Sequence, residues 1–273
     1  MKFRHAMCNE AFEHTPFAES CRTLRAVGYT GIEIAPFTLI EDPRDFTAAQ
    51  RRDCRQTITD EGLHFVGLHW IMMSPKGLHA TTPDAALRAR SWDHVARLID
   101  LCADLGDDGV IVFGSPKQRS STGGMSAADA TRHYIDGFAK LAPRAIERGV
   151  TLLVEPLSPG QSDVVTSLDE AAAIVKEIDS PGVRTMFDVH NAVDETEDHC
   201  ALIEKHFPLI RHVHVNEMDG RAPGTGDYDF RRLLETLARL NYQHWVSLEV
   251  FDFKPSPSAV AESSLRFLES ESL

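Results

Sequence analysis

Short apolar runs of strand length alternate along the chain with longer stretches whose apolar residues recur at helical spacing. Eight runs stand out: "KFRHAM", "YTGIEIAP", "LHFVGLHW", "DGVIVFGS", "VTLLVEP", "VRTMFDV", "IRHVHVN" and "HWVSLEV". Between them, "PDAALRARSWDHVARLIDLCADLG" puts Leu87, Val95, Leu98, Cys102 and Leu105 along one helical stripe. Thr15-Pro16, Thr82-Pro83 and Ser256-Pro257 predict proline at the first helical position, and Thr47 with Gln50 and Ser167 with Glu170 have capping-box spacing. Gly28, Gly62, Gly106 and Gly149 each close a helical segment before a strand, where a left-handed residue would turn the chain back toward the sheet. Eight successive βα units with short αβ turns predict an α/β fold, one closed parallel (β/α)8 barrel over residues 1–273, and no strand is followed by the GxGxxG of a doubly wound dinucleotide fold. The longest βα connections, residues 71–82 and 115–126, are expected to shape the active site.

Composition changes this picture little. Apolar content of 42% and charged content of 25% are ordinary for a soluble protein with a substantial core. The net charge of −13 disfavours nucleic acid, leaving Lys117 with Arg119 as one small basic spot. The five cysteines show no CxxC pair, which argues against a disulfide framework or a thiolate metal site and for a reducing cytosol. Neither a signal-peptide core nor a membrane-length apolar stretch is seen, so a cytoplasmic, soluble protein is expected.

The candidate chemistry sits where four of the runs end. Glu155 ends the fifth, Asp188 the sixth and Glu249 the eighth, while His214 lies late in the seventh. Period-two alternation pairs Leu153 with Glu155, Met186 with Asp188, His212 with His214 and Ser247 with Glu249 on one face, which points all four ends toward the barrel mouth. Three carboxylates crowded there would repel one another, and a divalent cation is the simplest neutralising partner. Oxygen-rich ligation with a single imidazole suits Mn2+ first, with Mg2+, Co2+ or Zn2+ as alternatives.

At these residues the chain resembles the sugar-phosphate isomerase and epimerase superfamily of xylose isomerase-like TIM barrels, nearest to the ketose 3-epimerases that act on tagatose and psicose. The likeness spans nearly the whole chain, through "VEPLS", "FDVH", "HVHVNE", "RAPGTGDYDF" and "SLEVF" in family order. It implies that Glu155, Asp188, His214 and Glu249 hold one divalent ion, that Glu155 and Glu249 double as acid and base, and that the protein is a dimer or tetramer. His190 is a candidate substrate contact, although relatives carry their histidine three residues after the aspartate and here Asn191 takes that place. Gly220 stands where the epimerases carry one of two adjacent arginines, leaving Arg221 as a candidate contact. Glu33, His69 and Trp70, near other strand ends, complete the candidate substrate-binding set.

Proton removal beside a carbonyl gives an enediolate. Return of the proton from the opposite face by a second glutamate inverts the centre, return to the neighbouring carbon isomerises the sugar, and loss of a β-substituent makes a dehydratase or lyase of a keto-sugar or inosose. The expectation is a carbohydrate epimerase acting on a small sugar or keto-sugar. Endonuclease IV, which resembles the chain at His69, Glu155, Asp188, His214 and Glu249, needs three zincs, for which a strand-four histidine and a histidine after Asp229 are missing. A sugar-binding barrel without turnover would not need the paired glutamates.

Overall fold

The computed structural model describes residues 3–272. Lys2, at the start of the first predicted run, lies outside the described residues. All eight runs form strands: β1 (Arg4–Cys8), β2 (Gly31–Ile34), β3 (His64–Leu68), β4 (Val110–Phe113), β5 (Thr151–Val154), β6 (Val183–Asp188), β7 (Ile210–Val215) and β8 (Trp245–Leu248). Neighbours pair in parallel in sequence order, and β8 closes on β1. The helices are α1 (Phe17–Val27), α2 (Ala48–Asp60), α3 (Ala85–Leu105), the one-turn α4 (Pro116–Arg119), α5 (Ala127–Arg148), α6 (Leu168–Ile178), α7 (His199–His206), α8 (Phe230–Arg239) and α9 (Pro257–Glu271).

Alternation along each strand divides the apolar residues between two places. One set lies between strands and helices in the large outer core. The other fills the barrel lumen, where Val110, Val112, Leu153 and Met186 form one cluster and Ala6, Val66 and Trp245 another. The lumen is therefore a packed core, with Glu33, His212 and the strand-end carboxylates as its buried polar layer toward the C-terminal end.

The predicted helix ends are close, with instructive exceptions. Thr47 and Gln50 form a reciprocal capping box, and Ser256 caps α9 with Pro257 at its first position. At Thr82-Pro83 the helix starts later, because the Asp84 carboxylate accepts from the Ala86 and Leu87 amides. At Thr15-Pro16, Pro16 itself is the cap residue. Ser167 caps α6, but the Glu170 side chain reaches the Thr166 amide instead of the cap's own. Gly106 is the one stop glycine that is not left-handed; at φ −176° it is extended, and a Cβ there would sit 2.7 Å from Phe65 Cβ, so close approach explains the glycine.

A buried candidate metal centre at the barrel mouth

Parallel pairing sets Asp188 beside His214, and His214 beside Ser247, so the inward face of β6–β8 carries the site in one band. Glu155 and Glu249 each stand one residue past the end of their strand. All four side chains are buried, and one donor atom from each lies within 4.8 Å of the others. His214 Nδ1 is 3.0 Å from Glu249 Oε2 and 3.4 Å from Asp188 Oδ2. Yet His214 Nδ1 and Asp188 Oδ2 are buried without a hydrogen-bond partner. Burying such groups unpaired is costly, and ligands around a small divalent ion bonded at about 2.1 Å stand roughly this far apart. The donor set and its unpaired atoms fit a divalent ion.

Electrostatics agree. Burial, then the charges of Glu249 and Asp188, push the Glu155 carboxyl up to about 8. Burial also raises Glu249. Below the cluster Glu33 is fully buried, 2.8 Å from His212 Nε2 and 3.1 Å from His214 Nε2. Burial pushes its carboxyl upward, but the two histidines hold it well below the usual range. By accepting from His214 Nε2–H, Glu33 fixes the tautomer that frees Nδ1 toward the site, an arrangement common behind metal-ligating histidines. The Glu33 carboxylate thus faces the histidines inside the barrel rather than the pocket. Glu33→Ala, which leaves two buried imidazoles unpaired, is expected to destabilise the protein by about 3 kcal/mol or more in chemical denaturation.

Above the cluster opens a cavity of about 220 Å³. Its floor is Glu155 and Glu249, and its walls include His69, Trp70, His190, Asn191, Gln161, Phe251 and Ser115. His69 is 1% exposed, with Nε2 2.7 Å from Glu10. Trp70 is half-buried and meets Phe251 edge-on. The His190 ring is fixed at both nitrogens, Nδ1 donating to the Met218 carbonyl at 2.8 Å and Nε2 accepting from Gln161 at 3.1 Å. The third candidate position is also in play, since the Asn191 amide donates to Asp188 Oδ1 and its side chain to Glu155 Oε1, both at 3.0 Å.

Arg221 is not brought to this pocket. Its half-exposed side chain pairs with Asp219 at 2.7 Å and lines a separate surface hollow with Glu217 and Tyr228. The basic spot also comes apart, because Lys117 is exposed whereas Arg119 is fully buried. Of the long connections, residues 71–82 do not line the pocket and 115–126 contributes only Ser115 and Pro116; the loop after β5 supplies Leu157 and Gln161 instead. Sequence reasoning missed Gly114, Ser115, Gln161 and Phe251, which lie on loops without periodicity, and Glu10, which lies in a one-turn 3-10 helix (Asn9–Phe12) after β1. Gly114 carries the one readable signal, a glycine directly after a strand. A Cβ there would meet Glu155 Oε2 at 2.1 Å. Gly114→Ala should thus displace that carboxylate and lower kcat by on the order of 10²-fold with little change in melting temperature.

Among the described residues no helix is long and apolar enough to cross a membrane. The chain is 24% identical over 271 residues to 3-dehydro-D-guloside 4-epimerase of Escherichia coli, covering 95% of this chain and 97% of that protein. It is 23% identical over 255 residues to D-psicose 3-epimerase of Agrobacterium fabrum, covering 91% and 85%. The crystal structure of 3-keto-D-glucoside 4-epimerase from E. coli superposes with a TM-score of 0.86 at 21% identity, covering 98% of this chain and all of that one, a likeness of fold. These relatives are enzymes of the carbohydrate isomerase and epimerase class. The xylose isomerase-like TIM barrel family matches residues 21–271, and with the closed eight-stranded parallel barrel already described, the chain belongs to that family.

Proposed function

We propose that the protein is a metal-dependent sugar epimerase that inverts a carbon next to a ketone, with ketose 3-epimerisation the first reaction to test. The observation that carries the reading is the pair of buried glutamates at the ends of β5 and β8, on either side of Asp188 and His214 at the barrel mouth. Glu155, Asp188, His214 and Glu249 would hold one divalent ion, Mn2+ by preference, which when bound acidifies the carbon-bound proton and stabilises the enediolate charge. One glutamate removes the proton, leaving the C–H electron pair in the enediolate, and the other delivers a proton to the opposite face. Asn191 holds Glu155 in place, and Glu33 holds His214. His69 and Gln161 offer polar contacts to substrate hydroxyls, His190 holds the Gln161 amide at the pocket wall, and Trp70 and Phe251 offer apolar faces to the sugar ring.

Arg221, paired and turned away from the pocket, favours a second reading. A free ketohexose extended toward that side would find no cation, and the E. coli relatives are named as 4-epimerases of keto-glycosides, so 4-epimerisation of a keto-glycoside stands next in line. Incubating the Mn2+-loaded protein in D2O with a panel of ketoses, 3-keto-glycosides and inososes, read by NMR, tests both. Deuterium incorporation with inversion supports an epimerase, an unsaturated product supports a lyase, and no incorporation across the panel overturns the proposal.

A further inference from the structure

Arg119 is the bulkiest fully buried side chain among the described residues, and its hydrogen bonds go to no carboxylate. Nη1 donates to the main-chain carbonyls of Phe113 at 2.9 Å and Glu155 at 2.6 Å and to the Tyr134 hydroxyl at 3.2 Å, and Nη2 donates to the Val165 carbonyl at 3.1 Å. The Tyr134 hydroxyl donates in turn to the Phe113 carbonyl at 2.9 Å, and its ring lies 5.4 Å from the guanidinium. Nε has no partner. A buried cation with no carboxylate hydrogen-bonded to it is expensive, and its presence calls for a reason beyond filling space.

The three carbonyls supply one. Phe113 ends β4 immediately before Gly114, the residue against which the Glu155 carboxylate rests. The second carbonyl is that of Glu155 itself. The third belongs to Val165, a β-branched residue in the left-handed region at φ 58°, a conformation held only where the surroundings fix it. The Val165 carbonyl also accepts from the Leu157 amide at 3.1 Å, closing the loop that presents Gln161 to the pocket. A planar fork with separate donors can reach all three carbonyls, whereas a lysine ammonium is a single point.

We propose that Arg119 is a positioning residue of the active site: by tying the ends of β4 and β5 to the return of the β5–α6 loop, it fixes the Glu155 carboxylate and the Gln161 wall for proton transfer. This rests on the reading of Glu155 as metal ligand and acid or base, and extends it to a residue that touches neither substrate nor metal.

The test uses Arg119→Lys and the isosteric Tyr134→Phe in the full chain, with Mn2+ binding followed by electron paramagnetic resonance and α-proton exchange followed on whichever sugar the deuterium screen selects. Arg119→Lys is expected to weaken Mn2+ binding by about tenfold and, at saturating Mn2+, to lower kcat by about 30-fold or more with KM changed by less than about threefold. Tyr134→Phe, which frees one anchor of the guanidinium, is expected to cost about three- to tenfold in kcat. A role in stability alone would lower the melting temperature and leave kcat and Mn2+ affinity per folded molecule unchanged. A folded Arg119→Lys within about twofold of wild type in both measures overturns the proposal; if that variant does not fold, Tyr134→Phe decides it by the same criterion. Glu155→Gln is the separate control: if it retains epimerisation, the acid/base reading of Glu155 fails, while the Mn2+ measurement, which needs no substrate, still judges Arg119.

Discussion

Glu155→Gln and Glu249→Gln are each expected to lower kcat for epimerisation by on the order of 10³-fold or more, with the protein still folded. The amide keeps the size and the acceptor oxygen of the carboxylate, so the Asn191 hydrogen bond to Oε1 of residue 155 can persist. What is lost is the ability to take a carbon-bound proton at neutral pH. Each substitution also removes one of three carboxyl groups that resist ionising together in a buried cluster, so the melting temperature of the metal-free protein should hold or rise. Solvent exchange separates the two residues. With one glutamate gone, only the epimer whose proton faces the other can still exchange deuterium, so any residual exchange should belong to opposite epimers in the two variants. An unchanged epimerisation rate in either variant removes that residue from the acid/base pair.

The strands and the buried cluster were legible for the same reason. Hydrophobic period marks a strand, and a carboxylate or imidazole that ends an otherwise apolar run cannot be explained by packing. Asp188 ends "VRTMFD", and the structure pairs it with His214 in the next strand. What period cannot say is how far up the lumen a polar residue stands. Glu33 follows the same strand-end pattern in "GIEIAP", but it lies below the cluster, where His212 and His214 already occupy its oxygens. Arg221 shows the complementary limit. Its neighbourhood matched by motif, yet a local pairing with Asp219 turns it away, a choice made by loop geometry rather than by pattern. The pocket walls were least legible, because Gln161 and Phe251 are placed by loops whose course depends on distant contacts such as those of Arg119 with Glu155 and Val165.

Removal of metal is expected to abolish turnover and to lower the melting temperature by an amount that grows with pH. The Glu155 carboxyl, raised to about 8 by burial and by its carboxylate neighbours, is the group that sets the window. A carboxyl whose folded pKa lies above its unfolded value contributes stability that is complete below the unfolded value and is lost as pH rises through the folded one. Metal-free protein should therefore lose stability as pH rises from the ordinary carboxylate value of about 4.5 to about 8, and level off above it, once Glu155 is ionised beside Asp188 and Glu249. A bound Mn2+ reverses this, since it requires the ionised carboxylate and supplies the opposing charge. The gap in melting temperature between Mn2+-loaded and chelator-treated protein should thus widen from about pH 6 to about pH 8 and then level off. Below about pH 8, binding Mn2+ must expel the Glu155 proton, so titrations in buffers of different ionisation enthalpy should show a proton release that falls by about one proton per site between about pH 6.5 and about pH 9. A gap that stays constant across this range, with no such fall in proton release, would mean that Glu155 is already ionised without metal, and that the three carboxylates are not forced together as the geometry requires.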